Sequence, residues 1–427
     1  MNVNFKQTKQ FFNNPSAPGS ESGWQVNSRA ETENLCHRIP RGAERGSIQE
    51  RWNTLAVSND MRQEIADSES LSRNKIYRRN IENYIGTLKV PVGIAGPLRV
   101  NGVFAQGDYY VPLATTEATL VASYNRGTRV ISKAGGCTAI LLKEGVSRAP
   151  GFVFKSLSQA DFFVKWALSR VEEFKRVAAA TSRFCKLTNL KHSIEGNHVY
   201  LNFEFFTEDA SGQNMVTIAT EAICNYIFHR SPFQPVRWYV EANFSGDKKA
   251  SSQSFQSVRG KKVAAEAIIP KELVEKSLHT TADQIARYYQ ISSIGGVLSG
   301  TIGIQGHYAN SLAALYLACG QDVACVAESA VGVTRFESIE DGDLYASVTL
   351  PNLMVATVGG GTVLPSQKAC LEILGLSGPG KSNAFAEVAA GLCLAGEISI
   401  AAAISAGEFT QAHKQLARGN PGLGEGR

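Results

Sequence analysis

The sequence lacks an uninterrupted apolar run of the roughly 18 residues that a membrane-crossing helix needs. The nearest candidate, residues 388–406, is rich in Gly and Ala and is broken by Glu397. It reads as a buried helix, and no membrane partner is expected. The N-terminal region has no apolar core of the signal-peptide kind. Eight cysteines form no C-x-x-C pair, so reduced, buried thiols in a cytoplasmic protein are expected. No H-E-x-x-H and no Cys/His cluster is present, which argues against a metal site. No G-x-G-x-x-G follows a strand-like run, which argues against a Rossmann dinucleotide domain. Charge of one sign is also scarce. Lys and Arg number 43 against 38 Asp and Glu, a formal balance of +5. That is too mild and too scattered for nucleic acid, yet suited to an anionic small substrate.

What is present is a large core. The 427 residues are 44% hydrophobic and 19% charged, enough for two or three globular domains. Residues 1–45 are polar and broken by Pro and Gly, as in a flexible arm. Ile48 to Arg79 has a helical pattern. Residues 83–113 alternate short apolar stretches with Gly and Pro, as strands and turns do. Thr116 opens a helical pattern through Arg126. From 151 to 241 the order is strand, helix capped by Ser158, two strands near 183–194 and 198–206, a helix over 214–229, and a strand at 236–240. This is the β-α-β-β-α-β layout of ferredoxin-like domains. Its position mid-chain predicts an insertion between 46–150 and 242–400. The expected class is therefore α+β, a large mixed helical and β domain carrying a small ferredoxin-like one. Tyr308 to Cys319 reads as a helix ended by Gly320, and residues 401–427 as a mobile C-terminal segment.

Residues 375–382, GLSGPGKS, match the phosphate-binding pattern G-x-x-x-x-G-K-[ST]. Such a loop must follow a buried strand and open a helix. Here Pro365 suits a first helical turn, and Ala369, Cys370, Ile373 and Leu374 share one face, so a helix precedes the loop. Gly375 then reads as a helix-ending glycine. A turn between helices is expected, not a triphosphatase.

Six blocks stand out, the second to the fifth needing more than packing to explain them: ENYIGTLKVPVGIAGPL (82–98), ATTEATLVASYNRG (114–127), TEDASGQNM (207–215), ANFSGDKKAS (242–251), HYANSLAALYLACGQD (307–322) and TVGGGT (357–362). Together, and in this order, they resemble the hydroxymethylglutaryl-CoA reductase family over residues 82 to 413. The resemblance implies reduction of a CoA thioester to mevalonate and free CoA, for isoprenoid synthesis, with NADPH rather than NADH. It also implies a homo-oligomer, at least a homodimer, with the active site at the subunit interface.

Residue by residue, the resemblance implies Glu117, Lys248, Asp322 and His413 as catalytic. An ammonium at Lys248 would stabilise the oxyanion of thioester attack. His413 would protonate the departing CoA thiolate. Glu117, tuned by burial and by Asp322, would protonate the aldehyde oxygen. Ser123, Asn125, Arg126 and Asn310 fall near the thioester, and Arg148 on the substrate carboxylate, with Asp247 and Lys249 flanking the lysine. Asp209, Ser211, Gly212, Gln213 and Asn214 open a helix whose N–H groups favour a pyrophosphate. Ser182, Arg183 and Phe184 match the segment that holds the 2′-phosphate in the eukaryote-like, NADPH-dependent class.

Ser211 and Gln213 stand where the family pattern has methionines. Glu241 stands where a serine faces the substrate, and no lysine lies between Ala282 and Gly300, where Arg287 is the one substitute. Two alternatives stay open: a reductase of another acyl-CoA thioester, and a non-catalytic CoA-binding relative.

Overall fold

The computed structural model describes residues 44–410 except residue 56. His413 and almost all of the N-terminal arm lie outside the described residues. The chain divides between Lys89 and Val90 into two compact units.

In the first unit the expected single helical stretch is four short helices: Arg45–Asn53, Asn59–Ile65, Ser68–Ser72 and Asn74–Tyr77. Two capping side chains restart it. Ser58 accepts from the Met61 amide, and Asp67 from the Ser70 amide at 2.7 Å. Such caps satisfy N–H groups that no earlier turn can reach. Ile48, Trp52, Ala66 and Tyr84 form a small separate core. The Trp52 indole and the buried Arg51 donate to the carbonyls of Ile85 and Tyr84.

The second unit is built on one sheet of 11 strands. These are β1 (Val92–Gly102), β2 (Gln106–Ala114), β3 (Cys137–Arg148), β4 (Gly151–Val153), β5 (Lys186–Glu195), β6 (His198–Phe206), β7 (Arg237–Tyr239), β8 (Gly260–Ile269), β9 (Gly303–Ile304), β10 (Gly332–Ser338) and β11 (Leu344–Leu353). The main path runs β7-β4-β6-β3-β8-β11-β10-β9, with β1 beside β3, β2 beside β1 and β5 beside β6. β8 shows the period of two that a half-covered strand requires: Val263, Ala265, Ala267 and Ile269 are buried and Glu266 and Ile268 exposed. β3 joins the two halves of the sheet. Its first part pairs with β8 and its last three residues with β6.

Residues 151–239 fold as β4, two helices (Leu157–Leu168 and Val171–Thr181), β5, β6, a helix (Gln213–Arg230) and β7. The pairings β7-β4, β4-β6 and β6-β5 are all antiparallel. The strand order is the one expected for 151–241, with the expected first helix broken in two at Ser169–Arg170. Details differ. Ser156, not Ser158, caps the first helix by accepting from Gln159. Ser182, Arg183 and Phe184 lie in the turn before β5 rather than in the strand.

The run that suggested a buried helix is one, Ser382–Ser405, and 78% of its most apolar window is covered. It crosses the helix Leu120–Lys133 in backbone contact: a Cβ on Gly127 would lie 1.9 Å from the Ala395 carbonyl oxygen. Its two carboxylates are clasps. Glu387 accepts from the amides of Phe104 and Ala105 at 2.8 and 2.7 Å, closing the β1–β2 turn. Glu397 accepts from Gly306 and His307, both at 2.7 Å, and from the Thr334 hydroxyl. A buried carboxylate persists only when N–H and O–H groups replace its water.

GLSGPGKS joins the helix Pro365–Ile373 to the helix Ser382–Ser405, and Gly375 is left-handed at φ 73°. Its amides do hold an anion, but it is the protein's own. Asp209 accepts from Gly380 at 2.7 Å and Ser382 at 3.0 Å. Burial would raise its carboxyl, and those amides outweigh that and hold it below its ordinary value. Asp209→Ala should lower stability by about 1–2 kcal/mol in urea titrations. The gap should be full above about pH 4, where unfolded aspartate is ionised, and should close as pH falls through the lowered folded value. A gap independent of pH would refute the clasp.

Candidate active site

Two clefts in the second unit carry the sequence-derived residues. The first, about 500 Å³, is lined by Glu117, Leu120, Ser123, Tyr124, Arg126, His307, Asn310 and Phe409. Glu117 sits in the loop before the helix Leu120–Lys133, whose start is set by Thr119 at φ 72°, so the helix does not open at Thr116. Its Oε2 accepts from the Asn310 side-chain amide at 2.9 Å. Arg126 reaches the Ser399 carbonyl at 2.6 Å, and Ser123 donates to the Ser399 hydroxyl. Asn125 is used structurally: its Oδ1 accepts from the Gly96 amide.

The second cleft, about 520 Å³, brings Ser211, Gly212, Gln213 and Asn214 together with Asp322 and Gly359 to Gly361. The helix Gln213–Arg230 opens into it, with Gly212 left-handed at φ 69°. The first N–H groups of a helix have no partner within it and attract anions. A Cβ on Gly359 or Gly360 would meet nothing within 4 Å, so these glycines leave open space where a dinucleotide backbone can approach. Ser182 donates to the Met215 sulfur, which places the Ser182–Phe184 turn beside the first turn of that helix. Arg183 lies 4.5 Å over the Phe184 ring and is exposed, free to meet a phosphate. Each Asp209 oxygen accepts from an amide of the protein itself, Gly380 and Ser382.

Lys248 and Asp322 form an ion pair of 2.8 Å, both partly exposed. The hydrogen bond to Asp322 raises the Lys248 pKa against the effect of burial, so the ammonium stays charged. Lys248 is left-handed at φ 55°, a backbone strain that aims its side chain. Asp322 also accepts from the Ala324 amide. Lys249 turns back onto the Asp247 carbonyl.

The expected quartet is not gathered within one chain. Glu117 meets Asn310 in the first turn of the helix Tyr308–Ala318, and Asp322 with Lys248 lies past its last residue. Eleven residues at about 1.5 Å each put roughly 16 Å between the helix ends. His413 lies outside the described residues.

Arg148 is buried and shared by two carboxylates, Glu241 at 3.1 Å and Asp247 at 3.0 Å. Glu241 does point inward, onto that guanidinium. Arg287 is exposed on the helix Ala282–Ser299 and pairs with Asp283.

Two further groups, Arg126 apart, lie beyond the residues the sequence pointed to. Arg126, Arg129, Lys133, Lys276 and His279 line a neighbouring pocket of about 410 Å³. The first three recur at helical spacing, which was the available signal. Five potential cations around one hollow can hold phosphates. The other is Arg259, fully buried, with both oxygens of Glu328 at 2.7 Å, Asp247 at 2.6 Å and Gln213 at 3.0 Å.

A family profile described as Hydroxymethylglutaryl-coenzyme A reductase matches residues 47–418. The fold is that of solved reductases. A class II 3-hydroxy-3-methylglutaryl-CoA reductase from Streptococcus pneumoniae, bound to NADPH, superposes with a TM-score of 0.64 at 20% identity, covering 84% of this chain and 96% of that one. Among relatives of the same name, that of Pyrococcus horikoshii is 43% identical over 82% of this chain and 86% of its own length. That of Methanocaldococcus jannaschii is 42% identical over 82% and 87%. Reductase 1 of Hevea brasiliensis is 39% identical over 78% of this chain and 59% of its own length. The chain belongs to the hydroxymethylglutaryl-coenzyme A reductase family.

The buried Arg259–Glu328 pair makes a direct prediction. Glu328→Ala leaves a guanidinium without its bidentate partner and should cost about 3–5 kcal/mol in urea unfolding. A loss below about 1 kcal/mol would mean that the pair is not closed in solution.

Proposed function

We propose that this chain reduces hydroxymethylglutaryl-CoA to mevalonate and free CoA, consuming two NADPH. The observation that carries the proposal is the Lys248–Asp322 ion pair at the edge of the glycine-lined second cleft, with Glu117 and Asn310 in the first cleft. Glu117 and Asn310 act at the thioester end, and Arg126, Arg129, Lys276 and His279 suit the phosphates of CoA.

A reduced dinucleotide held in the second cleft would supply the two hydrides that the reaction needs. The helix opening at Gln213 and the glycines 359–361 would hold its pyrophosphate, and Arg183 its 2′-phosphate. Lys248, kept charged by Asp322, stabilises the oxyanion formed in each reduction. Collapse of the thioester adduct expels CoA thiolate, which His413 protonates. Glu117 delivers the proton to the aldehyde oxygen. The Ser182-Arg183-Phe184 segment and the identity of about 40% to archaeal and plant reductases support the eukaryote-like class.

Two copies are required. One chain holds the two pairs at opposite ends of a helix, so a single carbonyl meets both only where two chains adjoin. The helix Ala282–Ser299 offers an apolar face for that contact: Ile291, Ile294 and Leu298 are 74, 63 and 82% exposed. Residues 151–241 serve as the dinucleotide domain, and residues 46–150 with 242–400 as the substrate and assembly domain.

Glu241 on Arg148 favours a second reading, a reductase of an acyl-CoA without a free carboxylate, because the guanidinium is already occupied. Turnover on a panel of acyl-CoA thioesters separates the two.

The primary test follows nicotinamide absorbance with hydroxymethylglutaryl-CoA; two NADPH should disappear per CoA released, and no oxidation would defeat the proposal. Lys248→Ala should lower kcat by about 10²–10³, and near-normal turnover would remove Lys248 from the mechanism. Arg183→Ala should raise the KM for NADPH tenfold or more, as loss of a charged hydrogen bond does (about 1.5–3 kcal/mol), while changing that for NADH less than about twofold. Equal losses would mean that Arg183 does not read the 2′-phosphate.

A further inference from the structure

Gln213 is the first residue of the helix that opens into the dinucleotide cleft and lines that cleft, and its side-chain amide is held at both ends by buried groups. The donor-only guanidinium of Arg259 fixes the orientation of its amide. Oε1 accepts from Arg259 at 3.0 Å, and Nε2 faces the Cys325 sulfur at 2.9 Å. Burial pushes the Cys325 thiol well up, so the sulfur stays neutral and accepts.

Each contact leads to one member of the reactive pair. Arg259 grips Asp247 at 2.6 Å, and Asp247 precedes Lys248 in a loop held left-handed at Gly246 and Lys248. Cys325 closes the short turn Val323–Cys325, whose N-cap is Asp322. One amide thus braces the loop that presents the ammonium and the turn that presents the carboxylate. Arg259, anchored on Glu328, is too rigid to swing, and Gly212 fixes where Gln213 starts, since a Cβ there would strike Thr207 at 2.4 Å.

We propose that Gln213 is a positioning residue for the reduction, setting the place of Lys248 against Asp322 from the opening turn of the dinucleotide helix. The inference rests on the reductase reading above. It assigns Gln213 to the supports of the ion pair rather than to direct recognition of the dinucleotide.

The test measures kcat and both KM values for the full-length protein and for Gln213→Leu, which keeps the side chain's bulk and loses both hydrogen bonds. A misplacement near 1 Å can cost up to about 10² in rate. The expected result is a fall in kcat of between about fivefold and fiftyfold, with both KM values changed less than about threefold. Cys325→Ala, which cuts one arm only, should lower kcat by a smaller factor, and the double variant should be no worse than Gln213→Leu. Cys325→Ser restores an acceptor and should recover most of the loss. Cys325→Ala and Cys325→Ser decide the matter alone if Gln213→Leu does not fold. A kcat within about twofold of wild type in Gln213→Leu, or in Cys325→Ala if that variant decides alone, would overturn the inference. So would a rise confined to the dinucleotide KM. Lys248→Ala, run alongside, keeps the two failures apart. If it is inactive while Gln213→Leu is normal, only the Gln213 assignment falls. If it is fully active, the reductase mechanism falls and this inference with it.

Discussion

The carboxylate of Glu397 fixes where the helix Tyr308–Ala318 begins, and the rest of the site follows from that. It is buried on the central helix and accepts from two successive amides just before that helix. Asn310 in the first turn then holds Glu117, and the far end delivers Asp322 to Lys248. The helix acts as a spacer of fixed length between the two half-sites of the proposed reaction. Its apolar residues, Leu312, Leu315 and Tyr316 among them, are buried in the core and leave it no freedom to shift.

Around the second half-site the charges are paired in series. Glu241 and Asp247 share Arg148, Asp247 also meets Arg259, and Arg259 meets Glu328. Each buried charge in such a chain is stable only because its neighbours are in place. The arrangement trades stability for a defined position of the Lys248 loop. Asp209 does the same for the loop before the central helix, where a protein carboxylate sits in a cradle of amides that could have held a phosphate.

Much of this was legible in the sequence, and the exceptions share one cause. Gly375 and Gly320 mark helix ends because their positive φ angles are costly for other residues. The β-α-β-β-α-β order could be read from periodicity because its elements are local. The start of the Leu120–Lys133 helix could not, since it depends on the left-handed Thr119, which nothing in the residue type announces. The contacts of Arg259 with Glu328 and of Arg148 with Glu241 join residues 69 and 93 positions apart, and no local pattern encodes them. Glu241 could be flagged as an unusual charge. Its partner could be found only in three dimensions.

If two half-sites lie at the ends of a rigid helix, catalysis belongs to the assembly and not to the chain. The direct measurement mixes two full-length variants, Glu117→Gln and Lys248→Ala, each impaired in its own half-site, and allows their subunits to exchange. In a mixed dimer one of the two interfacial sites then carries both intact halves, so activity should return to roughly a quarter of the wild-type value. Mixed dimers demonstrated by mass, yet no more active than either variant alone, would contradict a site completed by a second copy.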